Sequence, residues 1–278
     1  MKTIPFTLTS AKGRPITADI RYLSNTQKKP IIIFSHGFKG FKDWGHFPKL
    51  AEEFAKAGFV VVSFNYSHNG TTPTSLQEFV DLEAFGKNNY SIQLDDLGVV
   101  IDHILSKDGL PDEIDANCLF LWGHSVGAGI SILKACEDNR VKKVLAWASI
   151  GDFEKRVTAF NEEHWRKEGV EYITNARTKQ QLPLYYQLYT DFYTHRNRLD
   201  LLTNAQHVNV PVQFIHGSND EAVSLSEVAL LQNRMPGSDL KIIDGANHTF
   251  GGKHPWTDQQ LPEHTEEAIE ISLSFLKS

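Results

Sequence analysis

Short apolar runs rich in β-branched residues alternate along this chain with longer segments of helical periodicity. One run, residues 30–34, has no polar position at all, as expected for a strand covered on both faces of a parallel sheet. The predicted strands are 3–9, 15–22, 30–34, 59–64, 117–122, 142–148, 210–215 and 240–244. The predicted helices are 44–57, 91–105, 126–136, 224–235 and 263–276. The pattern predicts an α/β fold with a sheet of about eight mostly parallel strands, flanked by helices.

The alternation is interrupted once, between the strands 142–148 and 210–215. Roughly 60 residues there lack a strong strand pattern but are rich in charged and aromatic residues at helical spacing. A structureless loop of that length is uncommon inside a compact domain. We therefore predict a single domain over residues 1–278, with a helical cap inserted after the sixth strand at residues 152–205.

Composition and charge exclude several classes of function. The 278 residues carry a net charge of −6, so the chain has no general attraction for nucleic acid or anionic lipid. Its apolar runs are far shorter than the ~20 residues of a membrane-spanning helix. Cys118 and Cys136 lie inside apolar segments rather than in a disulfide framework, and the first residues lack the apolar stretch of a signal peptide. We expect a cytoplasmic protein without nucleic-acid or membrane partners; the sequence leaves the oligomeric state open.

The motif Gly-x-Ser-x-Gly occurs at residues 123–127, directly after a predicted strand and before a predicted helix. This is the setting of a nucleophile elbow, in which a sharp turn exposes the serine side chain. Such a turn needs neighbours without side chains, and Gly123 and Gly127 meet that need. Ser125 is the candidate nucleophile, although an ordinary strand-to-helix turn has the same residues.

A serine hydroxyl requires a base, and the base requires an orienting carboxylate. Asp220 follows the strand 210–215 in the loop that begins at His216, while Glu221 is an adjacent rival for the same role. His248 follows the last predicted strand and precedes the terminal helix, which distinguishes it among the 12 histidines of the chain. We predict Asp220 as the acid and His248 as the base.

Acyl transfer also needs hydrogen-bond donors for the developing oxyanion. The backbone N–H of Val126, the residue after the nucleophile, is one candidate. The loop after the first buried strand supplies the other, and Phe38 between Gly37 and Gly40 is its expected donor.

With these motifs in this order, the chain resembles the α/β-hydrolase superfamily of serine hydrolases over essentially its whole length. Within the superfamily it is similar to compact esterases and acyl-peptidase-like members, including feruloyl-esterase-like enzymes with a helical insert after the sixth strand. The resemblance implies the α/β-hydrolase fold and cleavage of a carboxylic ester or related acyl bond of a small substrate through an acyl-enzyme. It also implies that no metal and no organic cofactor is needed.

Four further residues are predicted to bind substrate. Phe41, Trp44 and His68 follow strands whose carboxyl ends should lie at the edge that carries Ser125. Tyr189 lies on an aromatic stripe of the insert that could cover the site. The alternative for this stripe is that it only packs the insert onto the rest of the domain.

Three alternative functions remain open at this point. An acyl- or aminopeptidase-like enzyme, or a peroxide-dependent perhydrolase, would use the same three residues. A hydrolase-like receptor would bind a small ligand without turning it over.

Overall fold

The structure, a computed structural model, describes residues 1–106 and 111–278. Its strands are β1 (Lys2–Thr9), β2 (Pro15–Tyr22), β3 (Lys29–Ser35), β4 (Val60–Phe64), β5 (Ile114–His124), β6 (Val141–Trp147), β7 (Val170–Thr174), β8 (Gln181–Tyr185), β9 (Val212–Gly217) and β10 (Ser238–Ile243). Eight of them form one sheet in the order β1-β2-β4-β3-β5-β6-β9-β10. Pairing is antiparallel between β1 and β2 and between β2 and β4, and parallel elsewhere in this sheet. The predicted eight-stranded, mostly parallel sheet is confirmed.

Helices cover both faces of this sheet. They are α1 (Phe47–Lys56), α2 (Leu82–Gly86), α3 (Tyr90–Ser106), α4 (Val126–Glu137), α5 (Glu154–Val157), α6 (Glu162–Glu168), α7 (Gln187–Thr194), α8 (Arg196–Leu199), α9 (Leu201–Ala205), α10 (Leu225–Gln232) and α11 (Glu263–Lys277). Among the described residues, no helix combines the length and apolar character needed to cross a membrane.

The uninterrupted apolar run in β3 contributes to two separate cores. Ile31 and Ile33 pack in a cluster that includes side chains of α3 and α4. Ile32 and Phe34 pack in a second cluster, together with side chains of α1 and α11. Alternate residues of a strand point to opposite faces, so the run buries both sides of the sheet at once.

The predicted cap segment, residues 152–205, is not purely helical. It contains α5, α6, the antiparallel hairpin of β7 and β8, and then α7, α8 and α9. Its own small core joins Trp165 and Leu184 of the insert to Phe41, Phe79 and Phe85 of the main domain. The hairpin thus lies beside the loops at one edge of the sheet. The division into a main domain and a cap at these bounds stays a prediction.

The register of the parallel strands brings their carboxyl ends together. In β3 and β5 Ser35 is paired with Gly123, and in β6 and β9 Trp147 is paired with Ile215. The loops that follow β3, β5, β9 and β10 therefore leave the sheet at one edge. This is the edge at which open α/β sheets bind their ligands.

Candidate active site

Ser125 lies on the sharp turn between β5 and α4. Its backbone has φ 57° and ψ −119°, a conformation that an L residue keeps only where the surrounding structure enforces it. The N–H of Ser125 donates to the carbonyl of Trp147 at 2.9 Å, which ties the turn to the neighbouring strand. The turn leaves the serine at the carboxyl edge of the sheet.

The two glycines of the motif are required by close backbone contacts. A Cβ on Gly123 would lie 2.3 Å from the carbonyl oxygen of Gly127. A Cβ on Gly127 would lie 2.1 Å from the carbonyl oxygen of Ser35 and 2.6 Å from that of His36. These distances are far below van der Waals contact, so any side chain at either position would displace the turn. The steric reason predicted for both glycines is confirmed.

Asp220 and His248 lie in the loops after β9 and β10 and are hydrogen-bonded to each other. Nδ1 of His248 lies 2.8 Å from Oδ2 of Asp220, while Oδ1 accepts the N–H groups of Ala222 and Val223. Burial alone would raise the pKa of Asp220, but the bonds from His248 and from these N–H groups outweigh it and hold the pKa below its ordinary value. An ionised Asp220 places the proton of a neutral His248 on Nδ1 and leaves Nε2 free to act as a base.

Two buried histidines form hydrogen bonds with the loops that carry this pair and add no charge. Nε2 of His124 donates to the carbonyl of His248 at 2.9 Å, and burial lowers the pKa of His124 to about 3. Nε2 of His216 donates to the carbonyl of Val223 at 2.9 Å and lies 3.3 Å from Oδ2 of Asp220. Burial also lowers the pKa of His216. Both rings are therefore neutral donors that fix the loops carrying the acid and the base.

Ser125 and His248 line the same cavity, of about 500 Å³, which we call the serine cavity. Among the described residues, no hydrogen bond joins the Ser125 hydroxyl to the His248 ring. Catalytic hydrogen bonds are often loose before substrate binds and shorten in the complex. The other lining residues are Gly37, Phe38, Lys39, Gly40, Phe41, Trp44, Phe47, Phe79, His124, Asn175, Ala176, Arg177, Glu221, Asn247, Thr249, Gly252, Lys253 and His254.

Two backbone N–H groups beside Ser125 are available to a ligand. That of Val126 lies in the first turn of α4, where helical N–H groups have no partner within the helix. That of Phe38 lies in a turn closed by a bond from the N–H of Gly40 to the carbonyl of Gly37 at 3.1 Å. Among the described residues, neither the Phe38 N–H nor the Val126 N–H donates to a protein acceptor. Both could stabilise negative charge next to Ser125.

A second cavity, of about 310 Å³, also has Phe38 in its wall, and we call it the Val126 cavity. Phe38 borders both cavities, whereas Val126 borders only the second. The remaining lining residues are Phe85, Asn88, Asn89, Tyr90, Gln93, Lys155, Arg156, Ala159, Phe160, Leu184 and Leu188. Apolar and aromatic side chains predominate, as in pockets that hold small organic molecules.

Three residues that line the Val126 cavity each carry a polar atom that is buried without a partner among the described residues. These atoms are Oδ1 of Asn88, Oε1 of Gln93 and Nε of Arg156. Gln93 is only 5% exposed, so its carbonyl oxygen has neither protein nor bulk water to bond. Buried polar atoms in proteins are nearly always hydrogen-bonded. A turn of one of these side chains toward the cavity would let a polar group of a ligand supply the missing bond.

The structure places two of the four predicted substrate-binding residues on the serine cavity and two away from both cavities. Phe41 and Trp44 line the serine cavity. His68 is buried with its Nδ1 2.7 Å from the Ser67 hydroxyl, so its ring is committed to its own loop. Tyr189 stacks against Tyr186 within the insert, at 5.4 Å between ring centroids. Neither side chain lines the serine cavity or the Val126 cavity, and a role of His68 and Tyr189 in substrate binding stays a prediction.

Several lining residues were missed by sequence reasoning. Arg177 lies at the tip of the β7–β8 hairpin, and no local pattern marks a hairpin tip as part of a site far away in the chain. Asn88 lies just before α3, and Gln93 lies in its first turn. Polar residues at the start of a helix usually face solvent. His254 could have been found, because it follows the last strand in the same loop as His248.

Comparison with known proteins agrees with this architecture. No family model matches the chain. The structure of DcsB in complex with its substrate analogue superimposes with a TM-score of 0.73 over 99% of both chains, at 19% sequence identity. Est1E of Butyrivibrio proteoclasticus with bound ferulic acid superimposes with a TM-score of 0.70, covering 98% of this chain and 100% of its own, at 18% identity. The chain has the α/β-hydrolase fold.

Curated relatives match the chain only in part. The quorum-quenching protein AidA of Acinetobacter baumannii is 27% identical over 123 residues, which are 44% of this chain and 36% of AidA. The lysophosphatidylserine lipase ABHD12 of Danio rerio is 22% identical over 248 residues, which cover 84% of this chain and 56% of the lipase. The chain thus spans well under two thirds of the length of either relative.

Proposed function

We propose that this protein is a serine hydrolase that cleaves a carboxylic ester of a small substrate through an acyl-enzyme intermediate. The observation that carries the proposal is the 2.8 Å hydrogen bond between Asp220 and His248, with the His248 ring on the same cavity as the strained Ser125. Strained backbone at a cavity, combined with an oriented histidine, is typical of nucleophilic catalysis.

The proposed reaction assigns one role to each group. Nε2 of His248 takes the proton of Ser125 as its oxygen attacks the carbonyl carbon of the ester. The N–H groups of Phe38 and Val126 hold the resulting oxyanion. His248 then gives the proton to the leaving alcohol oxygen, and a water molecule activated by the same ring releases the acid from Ser125. Asp220 orients the ring and stabilises its charged form.

The two cavities receive the two halves of the ester in this proposal. The leaving oxygen must lie next to His248, which protonates it, and His248 lines the serine cavity but not the Val126 cavity. The acyl group must extend past the oxyanion donors, and Phe38 and Val126 border the Val126 cavity. We therefore assign the alcohol to the serine cavity and the acyl chain to the Val126 cavity.

The compared proteins support hydrolysis of a small acyl compound. Est1E binds ferulic acid, DcsB binds a substrate analogue, and the Danio rerio relative is a lysophosphatidylserine lipase. Ferulic acid is a small carboxylic acid, which is the kind of product that the proposed reaction would release.

A fluorophosphonate probe tests the proposal directly. We expect covalent labelling of wild-type protein at Ser125 and hydrolysis of p-nitrophenyl butyrate, with both lost in Ser125→Ala. The control is Ser131→Ala, which removes a buried hydroxyl of the same helix that donates to the carbonyl of Gly127 at 2.8 Å. A folded wild-type protein that neither labels nor hydrolyses activated esters would instead support a ligand-binding protein.

A further inference from the structure

The side chains around the serine cavity are unequally charged. Lys39, Arg177 and Lys253 line it with positive charge, whereas Glu221 is the acidic side chain on its wall within the described residues. We propose that this cavity recognises a leaving alcohol that carries an anionic group, either phosphate or carboxylate, and that Arg177 holds this group. The inference rests on the proposed ester hydrolysis and adds the chemical class of the alcohol.

Arg177 lies in a turn that hydrogen bonds hold in one conformation. At the hairpin tip, the N–H of Asn175 donates to the carbonyl of Gln180 at 2.8 Å, and the N–H of Arg177 donates to Oδ1 of Asn175 at 3.1 Å. Nε2 of Gln180 donates to the carbonyl of Phe79 at 2.9 Å, which fixes the tip to the main domain. The backbone of Arg177 is therefore fixed by the fold of the insert at the cavity that this residue lines.

Arg177 forms only a long, exposed ion pair within the described residues, so its guanidinium is available to a ligand. Its nearest carboxylate oxygen belongs to Glu78 at 3.6 Å, and the side chains of Arg177 and Glu78 are 32% and 54% exposed. An ion pair of that length and exposure contributes little to stability. A phosphate or carboxylate in the cavity could instead form the paired, charge-assisted hydrogen bonds that a guanidinium favours.

His254 supplies a second donor to the same cavity. Its Nδ1 accepts the N–H of Gly45 at 2.8 Å, so in the neutral ring the proton lies on Nε2. The ring packs against Phe41 and Trp44, which sets its orientation. Burial lowers the pKa of His254, the charge of Arg177 lowers it further, and the charge of Glu78 opposes this. An N–H donor and a guanidinium on the wall of one cavity suit an anion and not a cation.

Matched esters with one acyl group test the inference. The carboxylate arm compares phenyl butyrate with its 3-carboxy derivative, and the phosphate arm compares monobutyrin with 1-butyrylglycerol 3-phosphate. In the wild-type enzyme we expect kcat/KM for the charged ester to exceed that for the neutral one by roughly tenfold in at least one arm. The arm that shows this preference identifies the anion as carboxylate or phosphate. Arg177→Gln should bring this ratio close to one, and Arg177→Glu should invert it.

The control and a measurement on unaltered protein complete the test. Lys167→Gln removes one positive charge from the same insert at a side chain that is 80% exposed and outside both cavities, and should keep the wild-type ratio. Added salt should lower the wild-type ratio, because screening weakens contacts between exposed charges. Equal rates for charged and neutral esters in the wild type, or a ratio that Arg177→Gln leaves unchanged, would overturn the inference while ester hydrolysis stands. Hydrolysis of p-nitrophenyl butyrate but of none of the four esters would overturn the inference alone. Failure to hydrolyse any ester, together with no fluorophosphonate labelling, would overturn both.

Discussion

The serine cavity and the Val126 cavity meet at Phe38 but differ in how they are built and in what they offer a ligand. Loops at the sheet edge and the tip of the insert hairpin form the first, which is lined by Lys39, Arg177 and Lys253. Packed elements of the main domain and the insert form the second, whose wall is mostly apolar. The difference indicates that the two halves of the substrate would be recognised in different ways. The serine cavity would select the alcohol by its charge, and the Val126 cavity would select the acyl chain by its shape and by a few buried polar atoms.

This division separates two kinds of substitution. A change in the groups that carry out the chemistry should lower the rate for every ester by the same factor. A change in the wall of one cavity should alter the ratio between esters that differ only in the half bound there. Ratios of kcat/KM are therefore the measurements that distinguish the two cavities.

The largest effect is expected from Asp220→Asn. The amide cannot stabilise the charged His248 ring and favours the wrong tautomer, so kcat should fall by roughly 10⁴-fold. Both N–H groups that donate to Oδ1 can still be satisfied by the amide oxygen, so the fold should persist. The check is kcat for esters that vary in the acyl group and then in the alcohol. A loss that depends on either half would contradict the separation between chemistry and recognition.

The positions of Ser125, Asp220 and His248 could be predicted, because these residues follow strand ends and the strand ends of a parallel sheet meet at one edge. Ser125, Asp220 and His248 each come after an apolar run that the sequence marks clearly, and the structure places them at that edge. The Val126 cavity could not be predicted. Its wall depends on how the insert packs against α2 and α3, which is set by tertiary contacts such as those of Leu184 with Phe85.

The hairpin of β7 and β8 shows a second limit of the sequence. Its segments are short, and charged residues such as Glu171 interrupt them, so they have no strong strand pattern. Pairing across the hairpin and burial of Leu182 against the main domain decide their structure. Arg177 reaches the serine cavity only through that hairpin, which explains why its position was missed.

A smaller effect is expected from Gln93→Leu in the Val126 cavity. Gln93 lines this cavity and its carbonyl oxygen is buried without a partner, so a turn of its amide would let it accept from a hydroxyl group of the acyl chain. Loss of such a bond should reduce kcat/KM for a 6-hydroxyhexanoate ester relative to the hexanoate ester by roughly tenfold. The ratio for charged against neutral alcohols should not change, because Arg177 lies in the other cavity.

The control for this substitution is Gln206→Leu, at an exposed glutamine that lines neither cavity. It should leave the preference between hydroxylated and plain acyl chains as in the wild type. An equal loss for both acyl chains in Gln93→Leu would instead assign Gln93 a purely structural role.

The smallest effect concerns the pH dependence of stability, and it should be concentrated around the serine cavity. Burial lowers the pKa of His36 and His46 to about 4 and that of His124 to about 3, and all three lie in or beside that cavity's wall. Unfolded histidines have a pKa near 6.5 and bind protons that these folded ones reject. Their contribution to stability is therefore fully present above pH 6.5 and is lost as the pH falls toward 4. Burial raises the pKa of Asp96 to about 7, which has the opposite sign and offsets part of this loss.

The free energy of unfolding in urea should therefore fall between pH 7 and pH 5, and His124→Asn should make that fall smaller. Asparagine can still donate to the carbonyl of His248, so the loop that carries the base keeps its contact while one titrating group is removed. Hydrogen exchange at pH 5 should increase first in residues 245–254, which border the serine cavity, and later in α3, which borders the Val126 cavity. Because no buried histidine lines the Val126 cavity within the described residues, equal increases in both places would mean that acid acts on the whole domain and that the two cavities are not independently stabilised.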